Sequence, residues 1–354
     1  MTISLPARYA TIIHVFSAGG MSDTLLCKDT NLQRDVVIKS LKPGIAAHRL
    51  LDELTALSAI RSRYVVQVLD VIVNGGQPVA FVEEFLPGNE LAPCDALTTA
   101  LDALGCLYPI AAGISEIHAH DRVHRDIKPD NMRHDAEGQL KIFDFGLAKL
   151  TTAPGTGVLY YSDGFTAPES FIKNSAGLHT FDYALDVYAF GCVAVWLLND
   201  GNLFPEMLGL TPTLPAGFDF LSLPVKVDPS TAALLLRCLD PDPAQRPKMV
   251  ECKERIGMEL LRDRHKMVLT SGVLQYILDA SHRSATINGA GSSIVVGYDG
   301  LTFTIQAVTG DAAINNATAM VGQVLLGSTV IVLGSLGGKR ISIACDVAHP
   351  EVML

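Results

Sequence analysis

Two short runs, H-R-D-I-K-P-D-N at 124–131 and D-F-G at 144–146, constrain this chain more than anything else in it. They set three carboxylates, an amide and a lysine in loops punctuated by Asp, Gly and Pro. Asp126 stands where a carboxylate accepts or orients a hydroxyl proton. Asn131 offers an oxygen ligand for magnesium, and Asp144 supplies the second hard ligand that Mg²⁺ prefers. The set suits phosphoryl transfer, where catalysis rests on positioning phosphates, neutralising their charge with metal and orienting the acceptor hydroxyl.

In this order and spacing the two runs resemble the catalytic loop and metal-binding loop of eukaryotic-like Ser/Thr protein kinases. The resemblance implies the two-lobed α+β kinase fold and an ATP-dependent transferase acting on protein hydroxyls. It makes Asp126 the catalytic base, Lys128 a γ-phosphate contact, and Asn131 and Asp144 the ligands of Mg²⁺, with Mn²⁺ as an alternative. Lys128 also implies serine or threonine rather than tyrosine as acceptor. His124 is expected to brace Asp144 and Phe145 from below, with Gly146 completing the loop. Upstream, V-V-I-K at 36–39 sets Lys39 on a strand to hold the α- and β-phosphates, and Glu53 on the following helix to hold Lys39. Helix phase agrees, because Leu50, Leu54 and Leu57 then form one packed stripe. Glu84, next in the run A-F-V-E-E-F, is expected among the nucleotide-binding residues.

The phosphate-covering loop departs from the family pattern. S-A-G-G-M-S-D-T at 17–24 stands for G-x-G-x-x-G-x-V, so Gly19 keeps its place beside Gly20 while Ser17, Ser22 and Thr24 replace two glycines and a valine. Its G-G-M core resembles the bacterial branch. Glu83 falls at the gatekeeper position, where an apolar residue or Thr is customary, and a carboxylate there is costly unless paired. The readings are a register slipped by one, a bond to a local lysine, or altered adenine recognition. Pro109, ahead of the catalytic loop, is expected to kink its helix or to mark the helix start.

Downstream, A-P-E at 167–169 resembles the end of the activation segment, and Arg246 the arginine that pairs with Glu169. Asp186 resembles the buried aspartate that organises the catalytic loop. Between Gly146 and Ala167, Thr151, Thr152 and Thr156 lead the candidate phosphosites, with Arg125 available to pair with a phosphate. Ser162 stands where the family has a threonine that touches Lys128 and the base. His118, His120 and His134 show no metal-ligand spacing and read as hydrogen-bonding groups.

Residues 8–86 are expected to form a small sheet with one helix, and 87–262 a mostly helical lobe in which Leu104, Leu107, Ala111, Ile114 and Ile117 share one face. L-P-G-N-E at 86–90 reads as the hinge. A linker or helix is expected at 263–283, and 284–354 reads as a small sandwich or barrel with strands in S-A-T-I, S-S-I-V-V, L-T-F-T-I, T-V-I-V-L and R-I-S-I-A. The rival for 312–338 is a membrane anchor, since that stretch carries no charge before Lys339, but its glycines and asparagines cut it into strand-sized pieces.

The net charge of -10 argues against a nucleic-acid partner. With no apolar leader at the amino terminus, a cytoplasmic catalytic part is expected. The seven cysteines stand singly and read as reduced, mostly buried thiols. Expected partners are protein substrates, and a partner or regulator held by the C-terminal β-domain. A second expectation, a nucleotide-binding scaffold without turnover, follows from the altered glycine loop and Glu83.

Overall fold

The computed structural model describes residues 5–16, 22–41, 48–92, 99–150, 153 and 155–348. Ser17, Gly19, Gly20, Cys94, Thr151 and Thr152 lie outside the described residues. The chain divides into two compact units, 1–256 and 257–354, a boundary that falls within the last helix of the first unit.

The first unit begins with a five-stranded antiparallel sheet in the order β1-β2-β3-β5-β4. Its strands are β1 (Thr11–Val15), β2 (Ser22–Asp29), β3 (Arg34–Leu41), β4 (Val68–Asn74) and β5 (Gln77–Glu84). The β-branched run of β3 is buried on both faces, because one face packs a core of Tyr9, Cys27, Val36, Ile38, Ile72, Ala80 and Val82 and the other carries Lys39. Helix α1 (His48–Ala59) follows, with Leu50 and Leu57 buried and Leu54 half-buried along its stripe.

Helices dominate the rest of this unit: α2 (Ala100–Ala119), α3 (Tyr183–Leu198), α4 (Pro229–Cys238) and α5 (Met249–Leu260). Thr99 and Asp102 close a capping box at the start of α2, and its expected apolar face is fully buried. Pro109 lies in the interior of α2 and does not mark its start. The helix begins upstream because the capping box satisfies its first donors. Two ribbons carry the loops between α2 and α3: β6 (Arg122–Val123) pairs with β9 (Lys149–Leu150), and β7 (Met132–His134) with β8 (Leu140–Ile142).

The second unit holds two antiparallel sheets. The six-stranded one runs β11-β10-β19-β18-β15-β16 and the four-stranded one β12-β13-β14-β17. The strands are β10 (Lys266–Ser271), β11 (Leu274–Leu278), β12 (Ser284–Gly289), β13 (Ser292–Tyr298), β14 (Phe303–Thr309), β15 (Ala312–Ile314), β16 (Ala317–Thr318), β17 (Val324–Leu325), β18 (Thr329–Leu333) and β19 (Ile341–Ala348). One core joins Met267, Leu269, Ile331 and Ile343 from the first sheet to Ile287, Ile294, Phe303 and Ile305 from the second, as in a sandwich.

One expectation is corrected. The stretch 263–283 is neither linker nor helix, because β10 and β11 form a hairpin there and β10 pairs along its length with the last strand, β19. The alternation of buried Met267 and Leu269 with more exposed neighbours is the strand period that identifies it. The stretch 312–338 is a set of short strands with buried Ile314, Leu325, Ile331 and Leu333, and not a spanning helix. Of the described helices only α2 is long and apolar enough to cross a membrane, and more than half of it is packed inside the first unit.

Candidate active site

Lys39 sits on β3 opposite Thr24 of β2 and Phe81 of β5. Its ammonium is ringed by three carboxylates: Glu53 Oε1 at 3.3 Å, Glu83 Oε1 at 3.5 Å and Asp144 Oδ1 at 3.6 Å. Burial works against the charge on Lys39, yet Glu83, Glu53 and Asp144 outweigh it and hold the lysine above its ordinary range. One cation cannot neutralise three acids. Burial therefore raises Glu53 against the pull of Lys39, and pushes the more enclosed Glu83 up to about 7. Asp144 goes the other way, since Lys39 and His124 outweigh the desolvation that opposes its charge.

Glu83 is thus in register and bonded to a local lysine, which is Lys39 itself. Its second oxygen, Oε2, has no hydrogen-bond partner among the described residues. Glu83 lies at the wall of a cavity of about 330 Å³, lined also by Phe16, Thr24, Val37, Val66, Leu86 and Phe143. Glu84 lines this cavity as well. Its carboxylate receives Lys141 Nζ at 2.8 Å on each oxygen and the Gln67 N–H at 2.8 Å. Sequence reasoning missed Lys141, because nothing local in K-I-F marks a lysine on β8 as a partner of β5.

Below the cavity, the loop after β6 folds around a buried aspartate of α3. Asp186 accepts the backbone N–H groups of His124 and Arg125 at 2.8 Å each, and His118 Nε2 lies 3.0 Å from it. Arg125 and Asp144 both adopt left-handed φ, +72° and +65°, a strained state that the surrounding hydrogen bonds hold in place. His124 packs edge-on against the buried ring of Phe145, with Nε2 3.3 Å from Phe143 O.

Asp126 is fully engaged. Its Oδ1 accepts from Ser162 Oγ at 2.6 Å, and its Oδ2 from Asn131 Nδ2 at 2.8 Å, with Lys128 Nζ 3.0 Å away. Lys128 also donates to Ser162 Oγ at 3.0 Å. With its amide N–H₂ turned to Asp126, Asn131 has its carbonyl oxygen left to ligate a metal. That oxygen and the half-exposed carboxylate of Asp144 form the hard oxygen pair that suits Mg²⁺.

Farther out, Arg246 forks onto Glu169 at 2.5 and 2.9 Å. Arg125 lies 3.4 Å over the Phe181 ring and donates to Leu147 O, and burial lowers it to about 10. Thr156 donates to Val158 O, and its backbone pairs with His179. Lys149 reaches Asp52 of α1 at 2.5 Å, an ion pair that no local pattern announces. The rings of His118, His120 and His134 each meet an oxygen, on Asp186, Glu116 and Asn89.

A strand lobe and a helical lobe joined at 85–90, with a lysine-lined cavity facing two acidic loops, make the scaffold of a phosphotransferase. The chain belongs to the protein kinase family, whose protein kinase domain matches residues 11–256. It is 30% identical over 258 residues to "Serine/threonine-protein kinases drp72" of Corynebacterium efficiens, covering 67% of this chain and 48% of that protein. It is likewise 30% identical over 254 residues to "Serine/threonine-protein kinases PknA" of Corynebacterium glutamicum, covering 66% and 52%. Against "Cyclin-dependent kinase 20" of Rattus norvegicus it is 34% identical over 186 residues, covering 49% and 50%. The chain spans about half the length of these relatives.

Proposed function

We propose that this chain transfers the γ-phosphate of ATP to serine or threonine hydroxyls of proteins, itself included. The reading rests chiefly on one observation, the closed set Asp126, Lys128, Asn131 and Ser162 standing beneath the Lys39, Glu53 and Asp144 cluster. Asp126 orients the acceptor hydroxyl and takes its proton. Lys128, between Asp126 and Ser162, meets the phosphoryl group as charge develops on it. Lys39 holds the α- and β-phosphates. Asn131 and Asp144 would hold Mg²⁺, which supplies charge neutralisation at the phosphates. The acceptor enters as a protein segment whose hydroxyl replaces that of Ser162 on Asp126. The C-terminal sandwich serves a partner or regulator, and the catalytic part works in the cytoplasm, where ATP is supplied.

Labelled γ-phosphate from Mg-ATP, offered to the full chain alone and with basic protein substrates, tests the proposal. Label is expected on serine or threonine and is expected to vanish in Lys39→Met and Asp126→Asn. ATP binding without any transfer across metals and substrates would refute it.

A further inference from the structure

Glu83 is a buried ionisable group that the transfer chemistry leaves unused. It is 4% exposed, and of its two oxygens one lies 3.5 Å from Lys39 Nζ while the other has no partner among the described residues. A buried polar atom left in this state calls for an explanation.

We infer that Glu83 is a second positioning residue for Lys39, holding the ammonium from the sheet while Glu53 holds it from α1. The inference rests on the reading of Lys39 as the phosphate-binding lysine. Val37 stands opposite Glu83 in the β3–β5 ladder, and Lys39 lies two residues along the same face. This is the diagonal arrangement within reach of long side chains. Both residues ride on neighbouring hydrogen-bonded strands, so their separation is set by the sheet alone. The Lys39–Glu53 pair instead bridges sheet and helix, so its geometry depends on where α1 sits. An ammonium has three N–H donors. Here it meets three carboxylates at nearly equal distances, one from the sheet, one from α1 and one from the D-F-G loop. When either Glu53 or Glu83 is lost, the other keeps Lys39 aimed into the cavity.

The test uses the full chain carrying Glu53→Ala, Glu83→Leu, both together, and the conservative Glu83→Gln. The readouts are kcat/KM for ATP, KM for an acceptor protein, and ATP affinity by calorimetry. We expect the double variant to fall on the order of 10-fold below the product of the two single losses, the coupling typical of residues that share one partner. Glu83→Gln, which keeps an acceptor oxygen, should recover most of the loss, and acceptor KM should stay unchanged. Losses that multiply without excess, or an acceptor KM that rises in parallel, would overturn the inference. Melting curves confine the comparison to folded variants, and Glu83→Met carries the same test if Glu83→Leu unfolds. Coupling in ATP affinity is read without turnover, so failure of the transfer activity and failure of the Glu83 role give different results.

Discussion

At residue scale the nucleotide cavity is governed by a surplus of acid around one lysine. Glu83 ionises near 7 in the folded chain against an ordinary 4.5. Its folded pKa is raised, so its contribution to stability is complete below about 4.5 and is lost as pH rises through about 7. At 1.36 kcal/mol per pH unit the gap corresponds to about 3 kcal/mol. Glu83→Gln, neutral at every pH, should therefore melt close to the parent at pH 5 and higher by roughly 5 to 10 °C at pH 8.5, as thermal unfolding across that range would show. An advantage of equal size at both pH values would mean that the carboxyl is not the titrating group. Most of the site was legible at this scale, because phosphoryl transfer demands particular residue types at particular spacings, and Lys39, Glu53, Asp126, Lys128, Asn131 and Asp144 carry them. Partners set by tertiary approach were not: Lys141 meets Glu84, Lys149 meets Asp52 and Arg125 meets Phe181 across distances along the chain that no local pattern encodes.

At the scale of elements, the segment joining the lobes is pinned more firmly than its Pro and Gly suggest. Gly88 donates to His134 O at 3.0 Å, and His134 N–H returns to Asn89 O at the same distance. A side chain at Gly88 would meet His134 Cβ and O at 2.8 Å. Gly88→Val should therefore push the segment off β7, lowering stability by about 1–3 kcal/mol, the usual cost of overpacking, and raising KM for ATP. Chemical unfolding and steady-state kinetics check the two effects together. Element identity was readable wherever periodicity ran long, as in α1, α2, β12, β13, β14, β18 and β19. It failed for β15, β16 and β17, because strands of two or three residues carry too few alternations to stand out, and for β10 and β11, which follow the charged run R-D-R-H-K that reads as a linker. Their place comes from pairing with distant strands.

The whole molecule has two separately closed sets of core contacts, the kinase unit and the C-terminal sandwich. Scanning calorimetry of the full chain should show ATP with Mg²⁺ raising only the transition that belongs to the kinase unit, by about 3 kcal/mol at a hundredfold excess over Kd. Ile294→Ala, which empties part of the sandwich core, should lower the other transition by about 2–4 kcal/mol. A nucleotide effect on both transitions would show energetic coupling between the units. The two-part division was legible as a change from helical period to β-branched runs, although the actual boundary lies ahead of the first run that reads as a strand.

The sealed thiols give a way to watch these cores open. Cys27 lies in the strand lobe, Cys192, Cys238 and Cys252 in the helical lobe and Cys345 in the sandwich, each free and at most 2% exposed. Cys238 and Cys252 face each other at 3.7 Å with no access to solvent. In the native chain an alkylating reagent reaches them only when their own core breathes. The rate at which each cysteine is labelled, read peptide by peptide in a mass spectrometer, therefore serves as a built-in clock for local unfolding of each core.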